Sequence, residues 1–200
     1  MIPPAECALI VIDVQNDYCH DEGVFGRAGL ALGAIQAAAL RVTGLVESAR
    51  RARVPVIWVR TEHGPFTDSR VWLDRGVRSA GIICAAGSWG AEFYRVRPAE
   101  GECVVVKHRY SAFVGTALEI VLRALGRPTL LMGGVTTNVC VESTARDAFM
   151  RDWRVVLVED CTAAPTKSEH DSAVHNVRAY FGRVVAAAAL EAGWAEPSRP

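Results

Sequence analysis

The sequence predicts an α/β fold, with a six-stranded, mostly parallel sheet covered by helices on both faces. Two observations carry this. Continuous apolar runs such as Leu9-Ile10-Val11-Ile12 fit strands buried on both sides. These runs alternate with helix-period patterns along the chain, the signature of βαβ units. The 200 residues suit one domain spanning 1–200.

The elements follow in order. Cys7 to Val14 reads as the first strand, and Ile35, Ala38, Val42, Leu45, Val46 and Ala49 then keep to one helical face. Val54 to Arg60 is the second strand. Thr61 to Arg97 lacks clear periodicity and holds Gly64-Pro65, Gly76, Gly81, Gly87 and Gly90, a composition suited to a functional loop such as a lid. Cys103 to Val106 is a short third strand. Thr116 and Glu119 spell a capping box, Leu118, Val121, Leu122 and Leu125 form the helix behind it, and Gly126 and Pro128 stop it. Thr129 to Met132 is the fourth strand, followed by Gly133-Gly134 and by a helix through Val141, Ala145, Ala148 and Phe149. Val155 to Val158 is the fifth strand. Thr166 and Glu169 form a second capping box before Ala173, Val177, Tyr180 and Phe181, Val184 to Ala188 is the sixth strand, and a short terminal helix follows.

Composition narrows the function. Lys plus Arg and Asp plus Glu are each 22, so the formal charge is zero and nothing draws the chain to nucleic acid or anionic membrane. The longest apolar stretch, Val184 to Leu190, is too short to span a bilayer, and Met1-Ile2-Pro3-Pro4 shows no signal peptide. Six cysteines without a CxxC pair suggest neither a disulfide scaffold nor a zinc site, so a reducing cytoplasm is expected.

Ligands of such sheets bind beyond the carboxyl ends of the strands. The first strand ends in Asp13, where partial desolvation suits a general base; a cap or surface turn is the alternative. The third ends in Lys107, which either snorkels to water or turns its charge on the site. The fourth leads through Gly133-Gly134-Val135-Thr136-Thr137-Asn138-Val139 into Cys140, at the start of a helix. There the macrodipole and a nearby cation make a thiolate accessible near neutral pH, and the turn can expose backbone N–H groups as an oxyanion hole. Cys7, Cys84 and Cys103 read as apolar fillers, and Cys19 and Cys161 lack the glycine turn. Acid, cation and thiol converging on one sheet edge follow the base–orienter–nucleophile logic of covalent catalysis.

Three segments carry a family resemblance: Val11-Ile12-Asp13-Val14-Gln15-Asn16-Asp17-Tyr18, Lys107-His108-Arg109-Tyr110-Ser111-Ala112-Phe113, and Gly134 through Ala148 around Cys140. The chain resembles the isochorismatase-like cysteine hydrolases over nearly its whole length. The resemblance implies a three-layer αβα Rossmann-like fold, a catalytic triad of Asp13, Lys107 and Cys140, and a non-proline cis peptide at Val135–Thr136. It also implies an oxyanion hole from the N–H groups of Thr136 and Cys140 and a homodimer or homotetramer. Nicotinamidases carry an Asp-x-His metal motif after the second strand. This sequence has Arg60-Thr61-Glu62-His63-Gly64 instead, so neither a metal nor another cofactor is expected, although a Glu62–His63–Asp68 site is conceivable.

True isochorismatases generally lack the nucleophilic cysteine, so Cys140 favours C–N cleavage, and Gly87-Ser88-Trp89, with Arg109-Tyr110-Ser111-Ala112-Phe113 and the Cys140 helix, looks most like ureidoacrylate and biuret amidohydrolases. The expected activity is hydrolysis of a small amide, ureido or carbamoyl compound through a thioester, releasing ammonia or an amine. Tyr18, Arg60, Trp89, Arg109, Tyr110 and Phe113 are candidate substrate-binding residues, with packing or solvated ion pairs as the plainer alternatives. A pocket guanidinium would imply a substrate carboxylate. Competing expectations are an enol-ether hydrolase using Asp13 as acid with Cys140 idle, and a non-catalytic binding module on the same fold.

Overall fold

The computed structural model describes residues 2–74 and 82–195. Gly76 and Gly81 of the irregular stretch lie outside the described residues. The strands are β1 (Cys7–Ile12), β2 (Val56–Thr61), β3 (Cys103–Lys107), β4 (Thr129–Val135), β5 (Arg154–Ala163) and β6 (Gly182–Val185). They form one parallel sheet in the order β3-β2-β1-β4-β5-β6. The helices are α1 (Asn16–Cys19), α2 (Val24–Arg27), α3 (Gly33–Arg51), α4 (Arg70–Asp74), α5 (Leu118–Leu125), α6 (Glu142–Phe149), α7 (Lys167–Asn176) and α8 (Ala187–Ala195). Among the described residues no helix is long and apolar enough to cross a membrane.

Strand alternation builds the layers. Cys7, Leu9 and Val11 of β1 pack with Ile35, Val42, Leu45 and Val46 of α3 and Leu190 of α8. Ala8, Ile10 and Ile12 pack with Leu118 and Leu122 of α5, Ala145 and Ala148 of α6 and Val174 of α7. Every β1 side chain is therefore buried, and each large aliphatic contributes about 1.5–3 kcal/mol.

The sheet order reverses between β1 and β4, which opens a crevice at their carboxyl ends. Close approach there requires glycine. Gly134 has φ +124°, and a Cβ would lie 1.9 Å from the Ile12 carbonyl oxygen.

Several boundaries differ from the sequence reading. β1 stops at Ile12, because Asp13 turns into a left-handed conformation with φ +53°. β2 starts later and runs to Thr61, β3 extends to Lys107, and β4 carries through Gly133-Gly134 to Val135. β5 runs from Arg154 to Ala163.

The Thr116–Glu119 capping box does not form. The Thr116 hydroxyl donates to the Ala112 carbonyl at 2.5 Å, while Glu119 is drawn to Arg123 at 2.7 Å and Arg151 at 3.2 Å. Gly126 still ends α5, with φ +61°. The Thr166–Glu169 box is complete in both directions. The sixth strand lies earlier than Val184 to Ala188: Asp160 accepts the Ala187 N–H at 2.8 Å and starts α8 there.

Candidate active site

Three strand ends deliver the charged and nucleophilic groups. Asp13 follows β1 and Lys107 ends β3, and both are almost completely buried. Cys140 sits in a π-type turn, Thr137–Val141, between β4 and α6. The peptide Val135–Thr136 is cis.

A buried network joins these elements. Lys107 Nζ lies 2.7 Å from Asp13 Oδ2 in an ion pair. The ammonium also donates to Thr61 Oγ1 at 2.7 Å, to the Arg109 carbonyl at 3.0 Å and towards Cys140 Sγ at 3.5 Å. Thr61 in turn donates to Asp13 Oδ1 at 3.1 Å. One hydroxyl therefore accepts from the cation and donates to the anion. Gln15 braces the same corner: its Nε2 donates to the carbonyls of Thr61 and Ala91, and its Oε1 accepts the Thr61 N–H, all at 2.8 Å.

The electrostatics revise one expectation. Burial pushes the Cys140 thiol well above the ordinary thiol range, and the Asp13 carboxylate pushes it further, while Lys107 pulls it down. The resting group is thus a thiol between a carboxylate and an ammonium, not a free thiolate at neutral pH. The reason is that desolvation outweighs the cation. For Lys107 burial alone would lower the pKa, but the Asp13 carboxylate, helped by the neighbouring Cys140 sulfur, prevails and raises it. Burial also raises the Tyr18 hydroxyl well above its usual value.

The network opens onto a cavity of about 130 Å³ whose lining includes Tyr18, Thr61, Lys107, Thr136 and Cys140. This is small beside the ~300–1,000 Å³ of drug-sized sites, and it suits a compact substrate. A larger concavity of about 680 Å³ lies at the opposite end of the strands, where β4, β5 and β6 begin, away from this chemistry.

Of the candidate binding residues, Tyr18, Arg109 and Tyr110 line the cavity, whereas Arg60, Trp89 and Phe113 do not. Thr61 faces the network, so Arg60, one position earlier on β2, projects to the other side and pairs with Glu62 at 2.6 Å. Trp89 packs edge-on against His20 with centroids 5.0 Å apart. Phe113 turns into the core beside Trp153, centroids 5.6 Å apart.

His63, which the sequence offered only as a member of a conceivable metal trio, is buried, lines the cavity and meets Asp68 at 2.8 Å. Glu62 is engaged by Arg60 instead, which separates the members of the conceivable metal trio. The sequence reading missed Thr61, Trp72, Phe25 and Ile83 as lining residues. Thr61 was accessible to the strand-end rule; the others lie in helical turns and loops without a periodic signal.

The isochorismatase domain model matches residues 7–189, and the chain belongs to this family. It is 36% identical to the ureidoacrylate amidohydrolase RutB of Methylobacterium radiotolerans, covering 99% of this chain and 83% of that protein. A cysteine hydrolase from Pseudomonas syringae superposes with a TM-score of 0.84 at 26% identity, covering 96% of this chain and 94% of that one. The N-carbamoylsarcosine amidase of Thermoplasma acidophilum superposes with a TM-score of 0.76 at 29% identity, covering 97% and 99%.

Proposed function

We propose that this protein is a cysteine amidohydrolase that cleaves a C–N bond of a small amide, ureido or carbamoyl compound. The observation that carries the reading is the meeting of Asp13, Lys107 and Cys140 in one buried network, which reaches a small cavity through Lys107 and Cys140. Similarity to an amidohydrolase and an amidase over nearly the full chain supports it.

In this reading Cys140 passes its thiol proton to Asp13 as the sulfur attacks the substrate carbonyl carbon. Lys107 stabilises the forming thiolate, and the raised resting pKa keeps the thiol protonated until that moment. The oxyanion is held by the backbone N–H groups of Thr136 and Cys140. Collapse breaks the C–N bond, and Asp13 returns its proton to the departing nitrogen. Asp13 then takes a proton from water, whose oxygen attacks the thioester. The sulfur leaves and is reprotonated, giving the acid and regenerating the enzyme. Thr61 and Lys107 fix the carboxylate throughout.

The test is ammonia release from ureidoacrylate and a panel of simple ureido, carbamoyl and carboxamide compounds. Turnover by wild type and its loss in a folded Cys140→Ala variant is the expected result. Wild-type rates in Cys140→Ala would end the reading.

A further inference from the structure

We infer that Arg109 is a specificity-determining residue that receives an anionic group of the substrate, so that the preferred substrates are ureido or carbamoyl carboxylates. The inference rests on the amidohydrolase reading and goes beyond it by assigning the charge of the substrate and the residue that reads it.

The argument is a balance of charge. Arg109 is half-buried and lines the cavity. The acids of the segments that bring residues to the cavity are committed elsewhere: Asp13 to Lys107 at 2.7 Å, Glu62 to Arg60 at 2.6 Å, Asp68 to His63 at 2.8 Å and Asp74 to Arg70 at 2.9 Å. Asp68 is the telling case. Arg109 Nη1 bonds the carbonyl of Thr67, its chain neighbour, yet the Asp68 carboxylate turns to His63. Residues 75–81 read Arg-Gly-Val-Arg-Ser-Ala-Gly and contribute no carboxylate. Among the described residues no acid pairs with Arg109, while the Lys107 charge is matched by Asp13. Among the described lining residues Arg109 is therefore a positive charge without an acid beside it, and a partly desolvated cation favours an anion there.

The guanidinium is also held ready. Nη1 spends its two hydrogens on the carbonyls of Thr67 at 3.0 Å and His108 at 2.6 Å. The guanidinium carbon lies 5.1 Å from the centre of the Trp72 ring. A guanidinium has five N–H donors, so with no partner for Nε or Nη2 among the described residues, Nε–H and both Nη2 hydrogens are left to fork onto a carboxylate. Stacking and the Nη1 bonds fix the plane before substrate arrives, which lowers the ordering cost of binding.

Two measurements test this. Ammonia release is compared for 3-ureidopropanoate and 3-ureidopropan-1-ol, which differ by carboxylate against hydroxymethyl. Wild type is expected to favour the acid in kcat/KM by about 10- to 100-fold, the size of a charge-assisted hydrogen bond. Arg109→Met is expected to erase that preference mainly through KM, and Arg109→Lys to restore part of it. Independently of turnover, glutarate is expected to protect Cys140 from iodoacetamide, read on the Cys140 peptide, where 1,5-pentanediol does not. That protection should vanish in Arg109→Met and return in part in Arg109→Lys. Equal use of the alcohol by wild type, or an acid preference that survives in Arg109→Met, would overturn the inference while leaving the amidohydrolase reading intact. Selective protection by glutarate without any ammonia release would sustain the anion site and sink the reaction.

Discussion

Replacing Thr61 with valine removes one oxygen and keeps the shape of the side chain. That oxygen accepts from Lys107 Nζ at 2.7 Å and donates to Asp13 Oδ1 at 3.1 Å, in a fully buried setting. Lys107 retains Asp13 and the Arg109 carbonyl, but Asp13 Oδ1 loses its hydroxyl donor. Hydrogen bonds to charged groups are worth about 1.5–3 kcal/mol each, and partial compensation by the surviving ion pair brings the expected loss to about 2–3 kcal/mol. For a chain of this size that lowers the melting temperature by about 4–12 °C. Turnover should fall by about 10- to 100-fold, because the carboxylate that exchanges a proton with Cys140 in the proposed mechanism is no longer oriented. Thr61→Ser keeps the oxygen and should retain most of both properties. Differential scanning calorimetry and ammonia release read the two effects. A Thr61→Val variant that melts and turns over like wild type would refute the claim that this hydroxyl couples the ion pair.

Lys107→Met strands a buried carboxylate and should cost about 3–5 kcal/mol by chemical denaturation, while Asp13→Asn combined with Lys107→Met recovers much of that stability without activity. Arg60→Ala should leave KM unaltered and shift stability by under about 1 kcal/mol, since its partner Glu62 holds it at a partly exposed site outside the cavity. Alkaline stability follows the buried thiols. Burial raises Cys7 from 9.0 to about 11 and Cys161 to about 12, so the folded state keeps protons that the unfolded chain gives up. Their stabilising effect is present below pH 9 and should be lost as pH rises towards 11 and 12, which denaturant titrations across that range would show. At the acid end, the Arg50 guanidinium holds Glu102 down to about 2. That contribution exists above pH 4.5 and should fade as pH falls towards 2; an Arg50→Ala variant that lost stability equally with and without acid would contradict it.

Much of the site could be read from the chain because strand ends are recognisable. Asp13, Lys107 and Cys140 each close or follow an apolar run, and a parallel sheet places such ends along one edge. The same logic reaches Thr61, which the sequence reading passed over in favour of Arg60, only once strand alternation is seen to aim Thr61 at Lys107 and Arg60 to the other side. The charge state of Cys140 was less accessible. A turn at a helix start suggests a depressed thiol, but the depth of burial and the nearness of Asp13 are tertiary facts and reverse the sign. Aromatic roles were hardest. Phe113 and Tyr110 stand three residues apart, yet one enters the core against Trp153 and the other meets Trp72 at the cavity, centroids 4.8 Å apart. His63 lies in a loop and Trp72 in the single short turn of α4, neither with a hydrophobic period, so nothing in the local sequence marks them.

The chemistry is tested most directly by rapid-quench mass spectrometry of the protein mixed with a substrate that releases ammonia. An acyl or carbamoyl adduct on the Cys140 peptide should form and decay within single turnovers, and it should be missing from Cys140→Ala. Turnover without any adduct on that sulfur, or an adduct on one of the other five cysteines, would contradict the account.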